Sequence, residues 1–424
     1  MTERLLQYIW QFQYFNCNSL TTTEGDALQI VNAGKLNTNQ GPDFLQANIK
    51  VAETTWAGNI ELHLKSSDWI AHKHSDDKNY NNIILHVVWK DDADLGLPFP
   101  VLELESRISN FLLSRYEELM MATSFIPCEK TIGLVNELTW KSWKDRLLIE
   151  RLQNKASIIF QHLASNNNHW EETFWWLLAK NFGIKVNSDA FEKIAKSLPL
   201  NILARHKNNI HQLEALLFGQ AGLLENEFKE SYPIMLQKEY AFYKAKYALE
   251  PIEGQLFFLR MRPANFPSIR LAQLAMLINK SVSLFSTIKT ATTLQEIKIL
   301  LNVTANDYWH YHYVFDELTG FKEKNTGAQI INNILINTVI PIVFAYGFYN
   351  KEEVYTEKAL LWMEEVSAEK NNITEAFAAL KVENKNAFDS QSLIQLKNEY
   401  CNRKRCLECS VGNSLLKSFN SSYR

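Results

Sequence analysis

Four side chains in the N-terminal part of the chain could do hydrolytic chemistry together. Asp43 follows Pro42, and after seventeen further residues come Glu61, His63 and Lys65 at alternating positions. Two carboxylates that reach one point can hold Mg²⁺ or Mn²⁺, hard cations that prefer oxygen ligands. An ion held in this way stabilises negative charge on a phosphate, and a nearby imidazole or ammonium group can assist. The spacing therefore predicts a metal site at Asp43 and Glu61, with His63 or Lys65 as the assisting group.

These residues are expected to lie on one β-hairpin. Residues 44–52 and 59–65 alternate between apolar and polar side chains, and the polar residues between them predict the connection. Side chains two positions apart in a strand share a face, so Glu61, His63 and Lys65 should point one way and the apolar residues between them the other. The alternative is a solvated face on which Glu61 and Lys65 form a surface ion pair.

Histidines are dense in the same region. Four of the ten histidines, His63, His72, His74 and His86, stand within 24 residues. Neutral imidazole is both a metal ligand and a base near neutral pH, so His72, His74 and the neighbouring Asp76 are predicted as accessory ligands or as a general base. A zinc hydrolase whose ion is bound by imidazoles alone is the competing chemistry. The alternative is two helix-surface histidines and a hydrogen-bonded core histidine at position 86.

Three cysteines near the C-terminus form a second candidate site. Cys401, Cys406 and Cys409 have the spacing C-x4-C-x2-C, which suits Zn²⁺ and also occurs in plant-type iron–sulfur ligation. A fourth ligand is needed, for which Cys128, Cys17 and a histidine are candidates. The alternative is three unrelated thiols in the reduced state, which five cysteines in a chain without a secretory signal favour.

Arginines surround the start of a helix that is predicted to begin at Pro267. Arg260, Arg262 and Arg270 could bind phosphate, because guanidinium groups and helix N-termini both favour anions. Docking of an extended loop explains the neighbouring prolines, asparagine and phenylalanine equally well. Both interpretations stay open, with Arg262 and Arg270 as the candidate phosphate ligands.

Composition and charge limit the classes of function. A chain of 424 residues predicts two or three domains, and a formal net charge of −3 gives no overall basic field, so nucleic acid would have to bind at a local patch. An acid stands where a secretory signal has bases, which favours a cytoplasmic protein. The apolar run 330–346 is broken by three asparagines and a proline, so we expect a buried helix and no membrane span. Signatures of P-loop, dinucleotide-binding, α/β-hydrolase and zincin sites are absent.

The order of the predicted elements indicates two fold types. Within the first 125 residues the patterns predict helix, strand, hairpin, helix, strand, strand and helix, which form an α/β domain with a mixed sheet and flanking helices. After Cys128 long helical patterns follow one another without a fixed repeat, which predicts a large irregular all-α domain. We therefore expect an α/β domain at 1–125, a helical domain at 126–385, and a C-terminal helix with the cysteine-bearing tail at 386–424.

The N-terminal pattern resembles a known nuclease core. Helix, strand, Pro-Asp at a hairpin, Glu-x-basic on the next strand, helix and strand is an order similar to that of the PD-(D/E)XK nuclease superfamily, over roughly the first quarter of the chain. The resemblance implies a restriction-endonuclease-like fold in which Asp43 and Glu61 bind divalent metal. The superfamily's catalytic lysine falls at His63, and Lys65 lies two residues further on. A displaced lysine or a substituting histidine would preserve the chemistry, whereas a degenerate site would leave only binding.

A second resemblance extends over nearly the whole length. The segments that carry it are Gly41–Phe44, Glu61–His63, Asp68–Trp69 with His72, His74 and Tyr80, Leu85–Val88, Arg262–Pro267 and the final cysteines. They resemble an uncharacterised bacterial family, domain of unknown function 2851, which implies no established activity. Together the resemblances predict a divalent-metal-dependent nuclease of uncharacterised substrate. A non-catalytic nucleic-acid or protein-interaction module on the same fold is the alternative, and the sequence makes no prediction of an oligomeric state.

Overall fold

The strand patterns of the first hundred residues form one mixed sheet in the computed structural model of the protein. The structure describes residues 1–74, 77–254, 256–259, 261–281 and 283–417. In chain order, the strands of this sheet in the described residues are β1 (Leu28–Asn32), β2 (Lys35–Leu36), β3 (Phe44–Val51), β4 (Thr54–Lys65), β5 (Ile83–Lys90) and β6 (Val101–Glu103).

The sheet combines antiparallel and parallel pairing. In space the strands follow the order β1, β3, β4, β5, β6, and the short β2 pairs with β3. The pairs β1–β3 and β3–β4 are antiparallel, whereas β4–β5 and β5–β6 are parallel. Parallel neighbours need a crossover, and the one from β4 to β5 carries the short helix α2 (Asp68–Ala71) and the 3₁₀ turn Lys78–Tyr80. With helices α1 (Glu3–Phe12) and α3 (Asn110–Met121), the predicted mixed sheet with flanking helices is confirmed.

The strand register brings the predicted site residues to neighbouring positions. Phe44 pairs with Ile60 across the antiparallel β3–β4 ladder, so Asp43, one residue before β3, stands beside Glu61. On the parallel side, Glu61 pairs with His86 of β5. Both faces of β4 are covered at this point, because Glu61 and its neighbours on either side are buried.

Gly58 lets β4 and β5 approach closely where they first pair. A Cβ atom at position 58 would lie 2.5 Å from Ile84 Cγ2 and 2.6 Å from the carbonyl oxygen of Asn82. Gly58→Ala is therefore expected to lower the free energy of unfolding by about 1–3 kcal/mol, the usual cost of overpacking. Urea denaturation would measure the change, with Gly133→Ala as control because a Cβ at position 133 meets open space. Equal midpoints for the two variants would contradict the close approach.

From residue 137 onward the chain is mainly helical, as predicted for the large second part. In chain order, the α-helices of this region in the described residues are α4 (Glu137–Ser165), α5 (Trp170–Phe182), α6 (Ile184–Ser197), α7 (Leu200–His206), α8 (Ile210–Gln220), α9 (Ser231–Tyr247), α10 (Pro267–Lys280), α11 (Leu284–Thr290), α12 (Leu294–Leu301), α13 (Asp307–His310), α14 (Ala328–Ile334), α15 (Ile340–Asn350), α16 (Glu353–Glu365), α17 (Asn372–Ala379), α18 (Ala387–Gln395) and α19 (Ser410–Lys417). π-Helical turns follow α14 and α18, at Leu335–Val339 and Leu396–Cys401. Helices α5, α8, α10 and α15 are buried along most of their length, because they are apolar on nearly every face.

Residues Ala328–Asn350 form one continuous helix that is long and apolar enough to cross a membrane by length and composition. In this structure, 67% of its most apolar window is buried inside the protein. The core helix of a soluble protein passes the same test, so this helix is weak evidence for a membrane span. Its burial agrees with the buried helix that the interrupted apolar run predicts.

The chain folds into two compact units. The first comprises Met1–Trp143, Ala379–Val382 and the segment that begins at Leu396, and the second comprises Lys144–Ala378 and Glu383–Gln395. The C-terminal segment 386–424 therefore contributes residues to both units.

A buried ion pair lies inside the second unit. Lys144 Nζ lies 2.7 Å from Asp389 Oδ1 and donates to the carbonyl oxygen of Glu383 at 2.7 Å. The other carboxylate oxygen, Asp389 Oδ2, accepts from the backbone N–H of Lys385 at 2.8 Å. The pair thus joins the first turns of this unit's α4 segment to α18.

Candidate functional site

Two carboxylates meet at the start of β3. The backbone N–H of Asp43 donates to Glu61 Oε2 at 3.0 Å, and the backbone N–H of Leu62 donates to Asp43 Oδ2 at 3.1 Å. Glu61 is 4% exposed and Asp43 is half-buried. These reciprocal hydrogen bonds hold the two carboxyl groups side by side, as a shared metal site requires.

Helix α1 contributes two residues that the sequence patterns did not single out. The hydroxyl of Thr2 caps the helix, which puts Glu3 in its first turn and Gln7 one turn later. Gln7 Nε2 donates to Asp43 Oδ1 at 2.8 Å, and the Glu3 carboxylate lies near enough to raise the pKa of both Asp43 and Glu61. The signal that could have found them is the i, i+4 spacing of two polar side chains in an apolar helix.

Three histidines converge beside Glu61. His63 Nε2 lies 3.1 Å from His72 Nδ1 and 3.3 Å from His74 Nε2. Glu61 Oε1 lies 3.6 Å from His63 Nε2 and 3.4 Å from His74 Nε2. The donor atoms of His63, His72 and His74 all lie within 4.8 Å of one another, close enough to hold one metal ion. The structure therefore gathers the predicted accessory histidines around His63, next to the acids.

The crossover between β4 and β5 surrounds these imidazoles with aromatic rings. The Trp69 ring lies edge-on to His63 and His74, with centroids 6.3 and 5.2 Å apart, and the Tyr80 ring stacks on His74 at 3.9 Å. His63 is 1% exposed, His74 is half-buried and His72 is exposed. The cluster is thus buried at His63 and opens to solvent at His72.

His86 holds His63 from the neighbouring strand. His86 Nε2 lies 2.9 Å from His63 Nδ1, and the His86 side chain is fully buried. Its other ring nitrogen, Nδ1, has no hydrogen-bond partner among the described residues. His86 is therefore a hydrogen-bonded core histidine, and its contact fixes the orientation of the His63 ring.

Burial and like charge shift the acid–base properties of the acids. Burial, with Glu3 nearby, raises the pKa of Asp43 to about 7. Burial and the adjacent Asp43 carboxylate raise the pKa of Glu61 to about 9. A cation between the two groups would oppose both causes, because it favours the ionised forms of the two carboxyl groups.

The pKa values of the buried imidazoles are lowered, in contrast to those of the acids. Burial and the adjacent His86 lower the pKa of His63 to about 2, and burial lowers the pKa of His86 to about 4. Burial also lowers the pKa of His74, with His72 as the second cause. At neutral pH these three rings are uncharged, so they offer lone pairs to a cation or to a proton and supply no positive charge.

A pH-dependent stability follows for the metal-free protein. The folded pKa values of about 7 and 9 for Asp43 and Glu61 lie above the unfolded values near 4, so the folded state holds more protons and stability falls as pH rises toward them. Glu61→Gln should therefore gain on the order of 2 kcal/mol relative to wild type between about pH 7 and pH 9, since it cannot ionise. Urea denaturation in a chelator would measure this difference. The exposed Glu53→Gln is the control, and parallel pH curves for wild type and Glu61→Gln would contradict the shift.

Lys65 does not join the site in the way that strand periodicity predicts. Its side chain is 61% exposed, and its Nζ lies 3.9 Å from Asp92 Oδ2. The reason is that β4 ends at Lys65, beyond the covered part of the strand. The other prediction, a surface ion pair between Lys65 and Glu61, is not found either, because Glu61 is buried and faces His63 and His74. Asp76, the remaining accessory prediction, lies outside the described residues.

The C-terminal cysteines lie with Cys128 in one buried neighbourhood. Burial raises the pKa of Cys406 to about 12 and that of Cys409 to about 11. Burial and the nearby Cys409 and Cys406 raise the pKa of Cys128 to about 12. Burial and the other three thiols also raise the pKa of Cys401. All are free thiols, and within the described chain no three of them come within 4.8 Å of one another. Cys17, the other candidate ligand, is exposed.

The two candidate phosphate-binding arginines have different surroundings. Arg270 is 4% exposed, and its guanidinium donates to Gln273 Oε1 at 2.7 Å and to Asn265 Oδ1. Burial lowers the pKa of Arg270 to about 10. Arg262 is exposed, and Arg260 lies outside the described residues. Arg270 thus fastens the preceding loop to α10, which is the interaction that loop docking describes.

Comparison with known proteins identifies a family. No curated protein and no solved structure matches the chain. A family model described as "Protein of unknown function (DUF2851)" matches residues 3–372. That match covers most of the chain, so this protein belongs to the DUF2851 family.

Proposed function

We propose that the protein is a divalent-metal-dependent nuclease that hydrolyses phosphodiester bonds in nucleic acid. The observation that carries the proposal is the meeting of Asp43 and Glu61, two acids that are distant in sequence and held side by side by backbone hydrogen bonds. Their raised pKa values mark a pair that has no positive partner among the residues that the structure describes.

The order of the elements supports the same assignment. Helix α1 precedes the antiparallel strands β1, β3 and β4, and a crossover leads to β5, which is parallel to β4. Asp43 stands just before β3 and Glu61 lies within β4, the positions that the resemblance to the PD-(D/E)XK superfamily implies. We therefore infer that the N-terminal sheet has a restriction-endonuclease-like fold.

The side chains have distinct roles in this proposal. Asp43 and Glu61 would hold Mg²⁺ or Mn²⁺, since each carboxylate oxygen that accepts one hydrogen bond retains a second lone pair. When bound, the ion supplies Lewis-acid stabilisation of charge on the phosphate. His63 takes the place of the superfamily's lysine and is uncharged, so it contributes a lone pair in place of a cation. Gln7 and Leu62 orient the Asp43 carboxylate.

A non-catalytic nucleic-acid or protein-interaction module is the second candidate. One observation favours it: both oxygens of Asp43 already accept hydrogen bonds, from Gln7 and from the backbone of Leu62. A purely structural aspartate that ties α1 to β4 would make these contacts. In that case the fold would bind its partner without cleaving it.

Incubation of the purified full chain with single-stranded DNA, double-stranded DNA and RNA would test the proposal. We expect cleavage of at least one substrate with Mg²⁺ or Mn²⁺ and none in excess chelator. The double variant Asp43→Ala, Glu61→Ala, purified in the same way, controls for contaminating nucleases. Equal cleavage by this double variant would end the catalytic proposal. Tight binding without cleavage would instead support the interaction module.

A further inference from the structure

We infer that Glu61, His63, His72 and His74 form a binding site for Zn²⁺. This site binds Zn²⁺ in preference to Mg²⁺. This inference goes beyond the proposed function, in which Asp43 and Glu61 hold Mg²⁺ or Mn²⁺, and the two sites share only Glu61. The binding of zinc itself stands on the arrangement of the four side chains.

Four of the six distances between the donor atoms are close to those of a tetrahedral zinc site. With zinc–nitrogen bonds of about 2.0–2.1 Å, two ligands of a tetrahedral ion lie about 3.3–3.4 Å apart. His63 Nε2 lies 3.1 Å from His72 Nδ1 and 3.3 Å from His74 Nε2. Glu61 Oε1 lies 3.4 Å from His74 Nε2 and 3.6 Å from His63 Nε2. Four contacts among these donors thus fall close to the expected ligand–ligand separation.

Hydrogen bonding alone does not satisfy this cluster. An imidazole nitrogen carries either one proton or one lone pair, so it makes one hydrogen bond along the ring plane. His63 Nε2 nevertheless has His72 Nδ1, His74 Nε2 and Glu61 Oε1 within 3.6 Å. A single cation at the centre would accept a lone pair from every donor at once. It would also offset the negative charge of the buried Glu61 carboxylate.

The contact with His86 prepares His63 as a ligand. Metal-binding histidines commonly donate their other ring N–H to an acceptor, which fixes the tautomer. If the proton of His63 is on Nδ1, it is donated to His86 Nε2 at 2.9 Å, and the lone pair of His63 Nε2 points at the cluster. His86 then carries its own proton on Nδ1, the atom without a partner among the described residues.

The donor types select the class of ion. Three nitrogens and one carboxylate oxygen suit Zn²⁺ and other first-row transition metals, whereas Mg²⁺ demands oxygen ligands in octahedral geometry. The Trp69 and Tyr80 rings keep the inner side apolar, and His72 stands at the exposed edge. An ion can therefore enter from solvent at His72 and be held by the buried residues behind it.

Zinc binding by the full chain is the test, because its readout does not depend on cleavage. The chelator-treated protein would be titrated with Zn²⁺ in excess Mg²⁺, and bound metal would be counted by elemental analysis. Removing a residue that only hydrogen-bonds to a metal ligand typically lowers metal affinity by roughly 10- to 100-fold. His72→Ala and His74→Ala each remove a ligand itself, so we expect each to lower the zinc affinity of this site by more than that. The exposed His211→Ala, in the second unit, should bind as wild type does.

The buried thiols could bind zinc too, so the variants are compared with His211→Ala and all retain every cysteine. Replacing Zn²⁺ with Co²⁺ separates the two sites, since only a thiolate site adds intense sulfur-to-metal absorption in the near ultraviolet. Equal zinc content in wild type and in a His72→Ala, His74→Ala double variant would overturn the inference. Displacement of zinc by Mg²⁺ would do the same.

The two proposals can fail separately. Zinc bound at the histidines with no cleavage of any nucleic acid would remove the nuclease proposal and leave the zinc site. Cleavage supported by Mg²⁺ in zinc-free protein, together with equal zinc content in wild type and in the histidine double variant, would remove the zinc site and leave the nuclease.

Discussion

Glu61→Gln is expected to lower nucleic-acid cleavage by at least about 10²- to 10³-fold, the range seen when one group that stabilises transition-state charge is lost. The substitution keeps the volume of the side chain but replaces Oε1 or Oε2 with an amide nitrogen, which cannot ligate a cation. Glu61 connects the two parts of the site, since Oε2 accepts from the backbone N–H of Asp43 and Oε1 faces His63 and His74. The loss should therefore appear in kcat more than in KM.

A matched control for this prediction lies on the same hairpin. Glu53 is a carboxylate between β3 and β4, and its side chain is 96% exposed with Lys50 as its ion-pair partner. Glu53→Gln should keep cleavage within about two-fold of wild type, because exposed ion pairs contribute little. Lys65→Ala tests whether Lys65 assists catalysis. Cleavage that survives this substitution would exclude Lys65 as the assisting group and leave His63. Wild-type rates for Glu61→Gln would contradict the proposed site.

Asp389→Ala should have the largest effect on stability, a loss of about 3–5 kcal/mol in the free energy of unfolding of the second unit. The side chains of Lys144 and Asp389 are 8% and 12% exposed, so removing the carboxylate leaves a buried ammonium group without its charged partner. Thermal and urea denaturation would measure the loss. The exposed Asp189→Ala is the control in the same unit, because its side chain is 89% exposed.

A double replacement shows whether the loss comes from the uncompensated charge. Lys144→Met combined with Asp389→Leu removes both charges and retains apolar volume, and such exchanges are often close to neutral. We expect the double variant to recover most of the stability that Asp389→Ala loses. A double variant as unstable as Asp389→Ala would point to the lost hydrogen bonds with Glu383 and Lys385 as the main cause.

Helices with strong boundary signals were predictable from the sequence. The helical patterns at residues 170–182 and 267–280 predict two helices, and α5 and α10 have the same bounds. The first helix is followed by Gly183, and the second begins with proline, which loses no intrahelical hydrogen bond at that position. Short helices such as α7 and α11 were not predicted, because seven residues hold too few turns for a periodic pattern.

The part of the candidate site that lies on the β-hairpin was predictable from the sequence, whereas the part that comes from the crossover was not. Period two placed Glu61 and His63 on one face, and the hairpin brought Asp43 to Glu61. The same rule misplaced Lys65, because periodicity does not show where the cover over a strand ends. The approach of His72 and His74 to His63 depends on the path of a crossover with little regular structure, which no local pattern encodes.

The residues of the site come from two separate parts of the chain, the sheet and the crossover between β4 and β5. The crossover supplies His72 and His74 as one short segment, whereas Asp43, Glu61 and His86 come from the sheet and its edge. A chimaera that carries a different connection of the same length would keep the carboxylate pair and His63 and would lose the imidazoles of His72 and His74. The imidazole part of the proposed metal site therefore depends on this one connection, whereas the carboxylate part depends on the strand register.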